Sequence, residues 1–306
     1  MKTKNLLLFF FGAIAAISLI IILGFDKSEK ESNRTALSDT LKNQRFIPKI
    51  PTAISFAGEK VPLEKWEISE QFDREFTLIY YQTGGIFTIL KYANRWFPLI
   101  SERLKQNGVP EDFKYLCVAE SNLQNLISRA GAVGFWQFMS YTGPGFGLEI
   151  SSNVDERYNV LKSTDAACAY LKQAYNKFGS WIAAAASYNC GQGKYNEQAT
   201  LQRTKNYYDL HLPEETNHYM YRILSFKHLI ENAESLGYIT ETSDLYAPHQ
   251  TRTVTVNSIP SLVDFAINNG TTYRMLKILN PWLRGRSLPG KAGKTYTIHL
   301  PAEKNN

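Results

Sequence analysis

Along most of this 306-residue chain, apolar residues recur at the three- and four-residue steps of helices that bury one face. The exceptions lie towards its ends. Leu6 to Phe25 is a continuous, almost wholly apolar run, and roughly twenty residues suffice to span a bilayer as one helix. Residues 26–60 are polar, with Pro48 and Pro51 among scattered apolar positions, and are expected to form a linker. Val61 to Gln106 is rich in aromatics and helical in pattern, with a break predicted at Gly84-Gly85. Pro110 predicts the opening of the next helix, with Glu111 and Asp112 in its first turn, where the helix dipole favours acids. Leu161, Thr164, Cys168, Leu171, Tyr175 and Phe178 predict an amphipathic helix ending near Gly179. An alanine-rich helix over Trp181–Tyr188, stopped by Asn189-Cys190-Gly191, and another over Tyr219–Leu236 complete an all-α body.

Beyond Ala247 the texture changes. Thr251 to Val256 reads as a short strand, followed by two short helices (Ser261–Asn269 and Thr272–Leu279) and a last strand around Thr295–Ile298. This β-α-α-β pattern predicts a small independent module. The expected organisation is therefore a membrane segment over 1–25, a linker over 26–60, a mainly α domain over 61–245 and the β-α-α-β module over 246–306.

Charge sharpens this division. Tyr246 to Asn306 holds eight basic and two acidic residues, so this module carries the whole net charge of +6 and leaves the rest of the chain neutral. A basic module on a neutral body points to an anionic partner such as a wall polymer, nucleic acid or lipid head groups, with simple solubility as the other reading. Lys2 and Lys4 before the apolar run fit an export signal with its positive end in the cytoplasm. The length of the run and the poor cleavage site at Gly24-Phe25-Asp26 favour an uncleaved signal anchor. Everything after residue 26 is then expected outside the cytoplasm, which argues against nucleic acid as a partner. Cys117, Cys168 and Cys190 are too few and too scattered for a disulfide framework, although a Cys117–Cys168 bridge stays open. Neither the cysteines nor the five histidines have metal-ligand spacing, so no metal or cofactor is expected.

The candidate chemistry begins at Glu120. On the helix opened by Pro110, Phe113, Leu116, Cys117 and Glu120 share one face, with no basic residue four positions away at Leu116 or Gln124. Desolvation there would raise the carboxyl pKa and keep it protonated, as a general acid needs. Helix position alone leaves an ordinary boundary glutamate open. Three downstream blocks change the balance. Gly131 to Met139 is a glycine-punctuated turn leading to Trp136, which offers a stacking face or a core ring, and to Gln137, an amide suited to sugar recognition. Then come Ser187-Tyr188-Asn189-Cys190-Gly191 and Glu215-Thr216-Asn217-His218-Tyr219.

In this order, with Glu120-Ser121 first, these blocks resemble the catalytic domain of the soluble-type lytic transglycosylases, glycoside hydrolase family 23. The resemblance covers roughly Val61 to Leu236 and extends to the type D membrane-bound murein transglycosylases, which share the upstream aromatic helices. It departs in two places: Ser187 stands where alanine is usual, and a proline common after the methionine block is missing. The tail resembles a degenerate LysM module. Asn280-Pro281 matches its pattern, while Asn257 to Leu262 replaces the usual Gly-Asp-Thr-Leu turn.

The resemblance implies a lysozyme-like fold of the goose type and cleavage of the β-1,4 bond between N-acetylmuramic acid and N-acetylglucosamine in peptidoglycan, closing a 1,6-anhydro ring. Glu120 would be the single catalytic acid and base. Ser128, Gln137, Met139, Tyr188, Asn189, Glu215 and Tyr219 would form the substrate site, the last two supporting the helices beneath it. A muramidase on the same fold and a non-catalytic wall-binding scaffold are the rivals. The expected location is the periplasmic side of the cell envelope, anchored in the inner membrane by residues 6–25.

Overall fold

The computed structural model describes residues 47–303. The expected membrane segment over 1–25 and the first part of the expected linker lie outside the described residues. From Pro48 onward the chain forms one compact unit, mainly helical, with two small antiparallel sheets.

The expected linker ends well before residue 60. Strands β1 (Ser55–Phe56) and β2 (Glu59–Lys60) form a hairpin whose Phe56 is wholly buried against Phe113. The hairpin also completes a distant helix. Glu59 accepts the Ser180 hydroxyl at 2.6 Å and the Trp181 amide at 2.5 Å, satisfying the first turn of the alanine-rich segment.

Helices α1 (Trp66–Tyr80) and α2 (Thr83–Gln106) follow. The chain turns at Tyr81-Gln82, and Gly84-Gly85 fall inside the first turn of α2 instead of at the break. Buried Ile68, Phe72, Phe76 and Ile79 recur at three- and four-residue steps, so α1 presents one apolar face, which packs on α7 (Glu214–Glu231). Helix α3 (Phe113–Ser121) carries Glu120 and lies against α2 and α7. Helix α4 (Val160–Phe178) ends where its periodicity predicts, at Gly179. Helix α5 (Trp181–Cys190) is enclosed all round: Ala183 to Ala186 have no exposed surface. Their small side chains let α4 and α7 pack closely against it, and α6 (Gln192–Gln202) leaves it at Gly191. The three cysteines are free thiols, so the Cys117–Cys168 bridge is not formed.

The C-terminal segment has the expected order: β3 (Thr251–Val256), α8 (Leu262–Asn268), α9 (Tyr273–Leu279) and β4 (Tyr296–Pro301), with β3 and β4 antiparallel. It is not the independent module that its pattern suggests. Its apolar core, built on Leu262, Leu276, Trp282, Leu283 and Ile298, also contains Val133, Val154 and Tyr158 from the helical body. A short backbone bridge joins Val154 to Leu283. At Gly285 the two parts meet so closely that a Cβ would lie 2.3 Å from the Asn153 side-chain nitrogen, a distance only glycine permits.

A chain ended after Ala247 should therefore destabilise the helical body. Full burial of a large apolar side chain gives about 1.5–3 kcal/mol, and Val133, Val154 and Tyr158 would each lose part of that, so the loss should be roughly 3–6 kcal/mol. Urea unfolding of both forms checks it, and an unchanged midpoint would show the two parts to be thermodynamically independent.

Candidate active site

Glu120 sits in the last turn of α3, and the chain reverses immediately behind it. Asn122 and Leu123 both adopt left-handed backbone conformations, with φ of 52° and 59°, uncommon for non-glycine residues and held here by the complete burial of Leu123. Ser121, also buried, donates from its hydroxyl to the Phe135 carbonyl at 2.8 Å, stapling the end of α3 to the glycine-punctuated turn.

The Glu120 carboxyl is partly buried. Desolvation raises its pKa to about 7, the Glu215 charge adds to the rise, and the Tyr219 hydrogen bond and the Arg222 charge oppose it. The Tyr219 hydroxyl donates to Glu120 Oε1, which leaves Oε2 without that bond. Burial pushes the Tyr219 and Tyr188 phenols well above their ordinary range, so both keep their protons.

A cleft of about 410 Å³ is lined by Gln137, Met139, Tyr188 and Asn189, together with Tyr141, Phe146 and Tyr170. Glu120 is not among its lining residues, and Tyr188, which feels the Glu120 charge, connects the two. Four of the substrate residues expected from the sequence thus meet in one place. Asn189 Oδ1 accepts the Thr216 hydroxyl at 2.7 Å, which leaves the Asn189 amide donors to the cleft. The Tyr188 hydroxyl donates to the Trp136 carbonyl at 2.8 Å, fixing α5 to the turn. Gln137 adopts a left-handed conformation with φ of 48° and donates to the Gly134 and Leu126 carbonyls at 2.7 and 3.2 Å. Its side-chain oxygen remains as the acceptor for a ligand.

The other expected residues occupy different positions. Ser128 does not line the cleft; its hydroxyl accepts the Ala132 amide at 3.0 Å and closes the glycine turn from behind. Glu215 is exposed in the first turn of α7 and reaches Glu120 through its charge, not as a buried hydrogen-bonding support. Tyr219 acts on Glu120 itself. Trp136 is not a stacking face: it is wholly buried, and its indole donates to Thr164 Oγ1 at 2.9 Å. The exposed ring on the cleft is Tyr141.

Sequence reasoning missed Thr216 and Ser121, although both stand inside the motifs, because neither spacing nor periodicity tells which hydroxyl of a motif turns inward. It also missed Arg157. This buried side chain pairs with Asp155 at 2.7 Å and donates to the Phe138 and Gly131 carbonyls at 3.1 and 3.4 Å, gripping both ends of the turn. Nothing local marks it, since its partners in the turn lie about twenty residues earlier. Its carbonyl explains Gly134, where an added Cβ would come within 2.0 Å of it. No group of acidic, histidine or cysteine side chains that could hold a metal occurs among the described residues.

Residues 98–211 match the transglycosylase SLT domain, and residues 252–304 match the soluble lytic transglycosylase C-terminal LysM-like domain. The chain therefore carries an SLT domain of lysozyme-like fold followed by a LysM-like domain. It is similar to the membrane-bound lytic murein transglycosylase D of Escherichia coli strain K12, with 27% identity over 205 residues. The protein of the same name from Escherichia coli O6:H1 matches equally. The matched region covers 65% of this chain and 45% of each relative, so the chain spans about half the length of the relatives it matches.

A glutamic acid with its pKa raised by burial lowers stability once the unfolded state has ionised. Between the ordinary carboxyl pKa near 4.5 and about 7 the folded protein holds a proton that the unfolded chain releases, so stability falls across that window. Glu120→Gln keeps an oxygen for Tyr219 and removes the ionisation. It should be more stable than wild type by roughly 2–3 kcal/mol at pH 8 and show little gain at pH 4. Urea titrations at the two pH values measure this, and equal differences would remove burial as the cause.

Proposed function

We propose that this protein is a peptidoglycan lytic transglycosylase that uses Glu120 as both acid and base. The observation that carries the reading is a partly buried carboxyl with pKa near 7, held by a neutral phenol and acting by its charge on Tyr188, which lines a polar and aromatic cleft. Such an acid is half protonated at neutral pH and can both give and accept a proton within one turnover. The matches to the SLT domain and to murein transglycosylases of Escherichia coli support the substrate class.

In this mechanism a glycan strand lies along the cleft with the muramic C1–O4 bond at Glu120. Oε2 gives its proton to O4 as the C1–O4 bond breaks, and the substrate's own N-acetyl oxygen stabilises the electron-poor C1. The now anionic Glu120 takes the proton from the muramic C6 hydroxyl, and O6 closes onto C1. The proton lent in the first step returns in the second, no water is consumed, and no second carboxylate is required. Tyr219 fixes the orientation of Glu120, Asn189 and Gln137 offer polar groups to the sugar amides, Met139 and Tyr188 shape the floor, and Ser128 and Gly134 hold the turn. Residues 6–25 anchor the enzyme on the periplasmic side of the inner membrane, and the basic LysM-like domain adds contact with the wall.

Purified peptidoglycan treated with the wild-type protein should release anhydro-muropeptides detectable by mass spectrometry, and Glu120→Gln should release fewer by at least about a thousandfold. Reducing-end products would instead make it a muramidase, and equal release by the mutant would dismiss Glu120. Because the first step needs the protonated acid, kcat/KM should fall as pH rises through about 7. Tyr219→Phe removes a bond that favours the carboxylate, so its falling limb should move to higher pH. A limb that stays in place or moves down would dismiss that role for Tyr219.

A further inference from the structure

The segment between the glycine turn and α4 is held on two sides. On one side Arg157 grips the carbonyls of Gly131 and Phe138, and its own carbonyl fills the space under Gly134. On the other side lies the LysM-like domain. The Asp155 amide donates to the Trp282 carbonyl at 2.9 Å, and the Arg284 amide donates to the Asn153 carbonyl at 2.8 Å. Asn153 donates in turn to the Ser287 carbonyl at 3.1 Å. Lys294 lies between two carboxylates of the segment, 2.6 Å from Glu149 and 3.1 Å from Glu156. The Tyr296 hydroxyl donates to the same Glu149 oxygen at 3.1 Å, and Glu156 accepts the Glu149 amide at 2.8 Å. Val133, within the turn, packs directly in the core of the LysM-like domain.

These contacts form one continuous path from a lysine of the C-terminal domain to the backbone that bears Gln137 and Met139. The path combines backbone-to-backbone bonds, the buried Arg157–Asp155 pair and part-buried side-chain contacts at Lys294. Two carboxylates that share one ammonium group have a clear low-energy arrangement, and the turn inherits it. From this geometry we infer that the LysM-like domain is the rear support of the active-site turn, with Lys294 and Arg157 as positioning residues for cleavage. The domain is thereby part of the catalytic apparatus as well as a wall-binding appendage. The inference rests on the reading that residues 131–139 hold the sugar during the proposed reaction.

The test compares full-length wild type with Lys294→Met and Lys294→Arg, using two measurements on each. One is hydrogen exchange of the amides at residues 131–139; the other is the rate of anhydro-muropeptide release over a range of peptidoglycan concentrations. Lys294→Met should speed exchange of the turn roughly tenfold while α5 and α7 stay protected. It should also lower kcat roughly tenfold with little change in KM, since displacement of positioning groups by an ångström can cost about a hundredfold in rate. Lys294→Arg should restore both. A rise in KM at constant kcat would make Lys294 a wall contact and overturn the inference, as would a change in exchange without one in kcat, or the reverse. Wild type inactive on peptidoglycan would dismiss the proposed reaction, while the exchange measurement would still decide whether the domain supports the turn. Should Lys294→Met fail to fold, Tyr296→Phe removes only the hydroxyl on Glu149 and should show the same pattern more weakly.

Discussion

A carboxylic acid can stay protonated near neutral pH only where water is withheld and no strong cation takes its place. That constraint organises this molecule. Glu120 reaches it at the end of a short helix whose other inward positions, Phe113, Leu116 and Cys117, are completely buried. Its direct hydrogen-bond partner is a phenol, which orients one oxygen without neutralising the charge that forms on it. Arg222 favours that charge from a distance and Glu215 opposes it. A hydroxyl partner of high pKa suits a group poised between its charged and neutral forms.

The scaffold supplies rigidity by closely packed small side chains and by caps drawn from far along the chain. Helix α5 is surrounded because four successive alanines leave room for its neighbours, and Glu59, more than a hundred residues earlier, completes its first turn. Tyr188 and Asn189, on the last turn of that helix, are thereby held at the cleft while their hydrogen bonds run to Trp136 and Thr216. The residues lining the cleft are thus fixed by partners that do not line it.

Much of this was legible from sequence because it is local. Periodicity located α4, alanine content located α5, the pattern beyond Ala247 located both C-terminal helices, and the blocks around Gln137 and Tyr188 pointed to a single cleft. What escaped notice is long-range. The hairpin at Ser55–Lys60 is polar in composition and looks like linker, yet Phe56 finds Phe113 across the fold. Trp136 looks like a sugar platform until Thr164 is seen to accept its indole hydrogen bond. Arg157 carries no motif, and its importance lies in two carbonyls distant in sequence. The C-terminal pattern reads as self-sufficient, but its core also takes in Val133, Val154 and Tyr158, more than a hundred residues earlier in the chain.

That shared core bears on the order in which the protein matures. Leu283, which pairs with Val154, is made more than a hundred residues after the segment it covers. A nascent chain can pack its helices on one another as they emerge, yet the apolar underside of the glycine turn stays uncovered until β4 arrives. A ribosome-bound or truncated product would hold Glu120 on a formed helix opposite an unfinished wall. The wall that carries Gln137 and Met139 would then be finished only when β4 is in place.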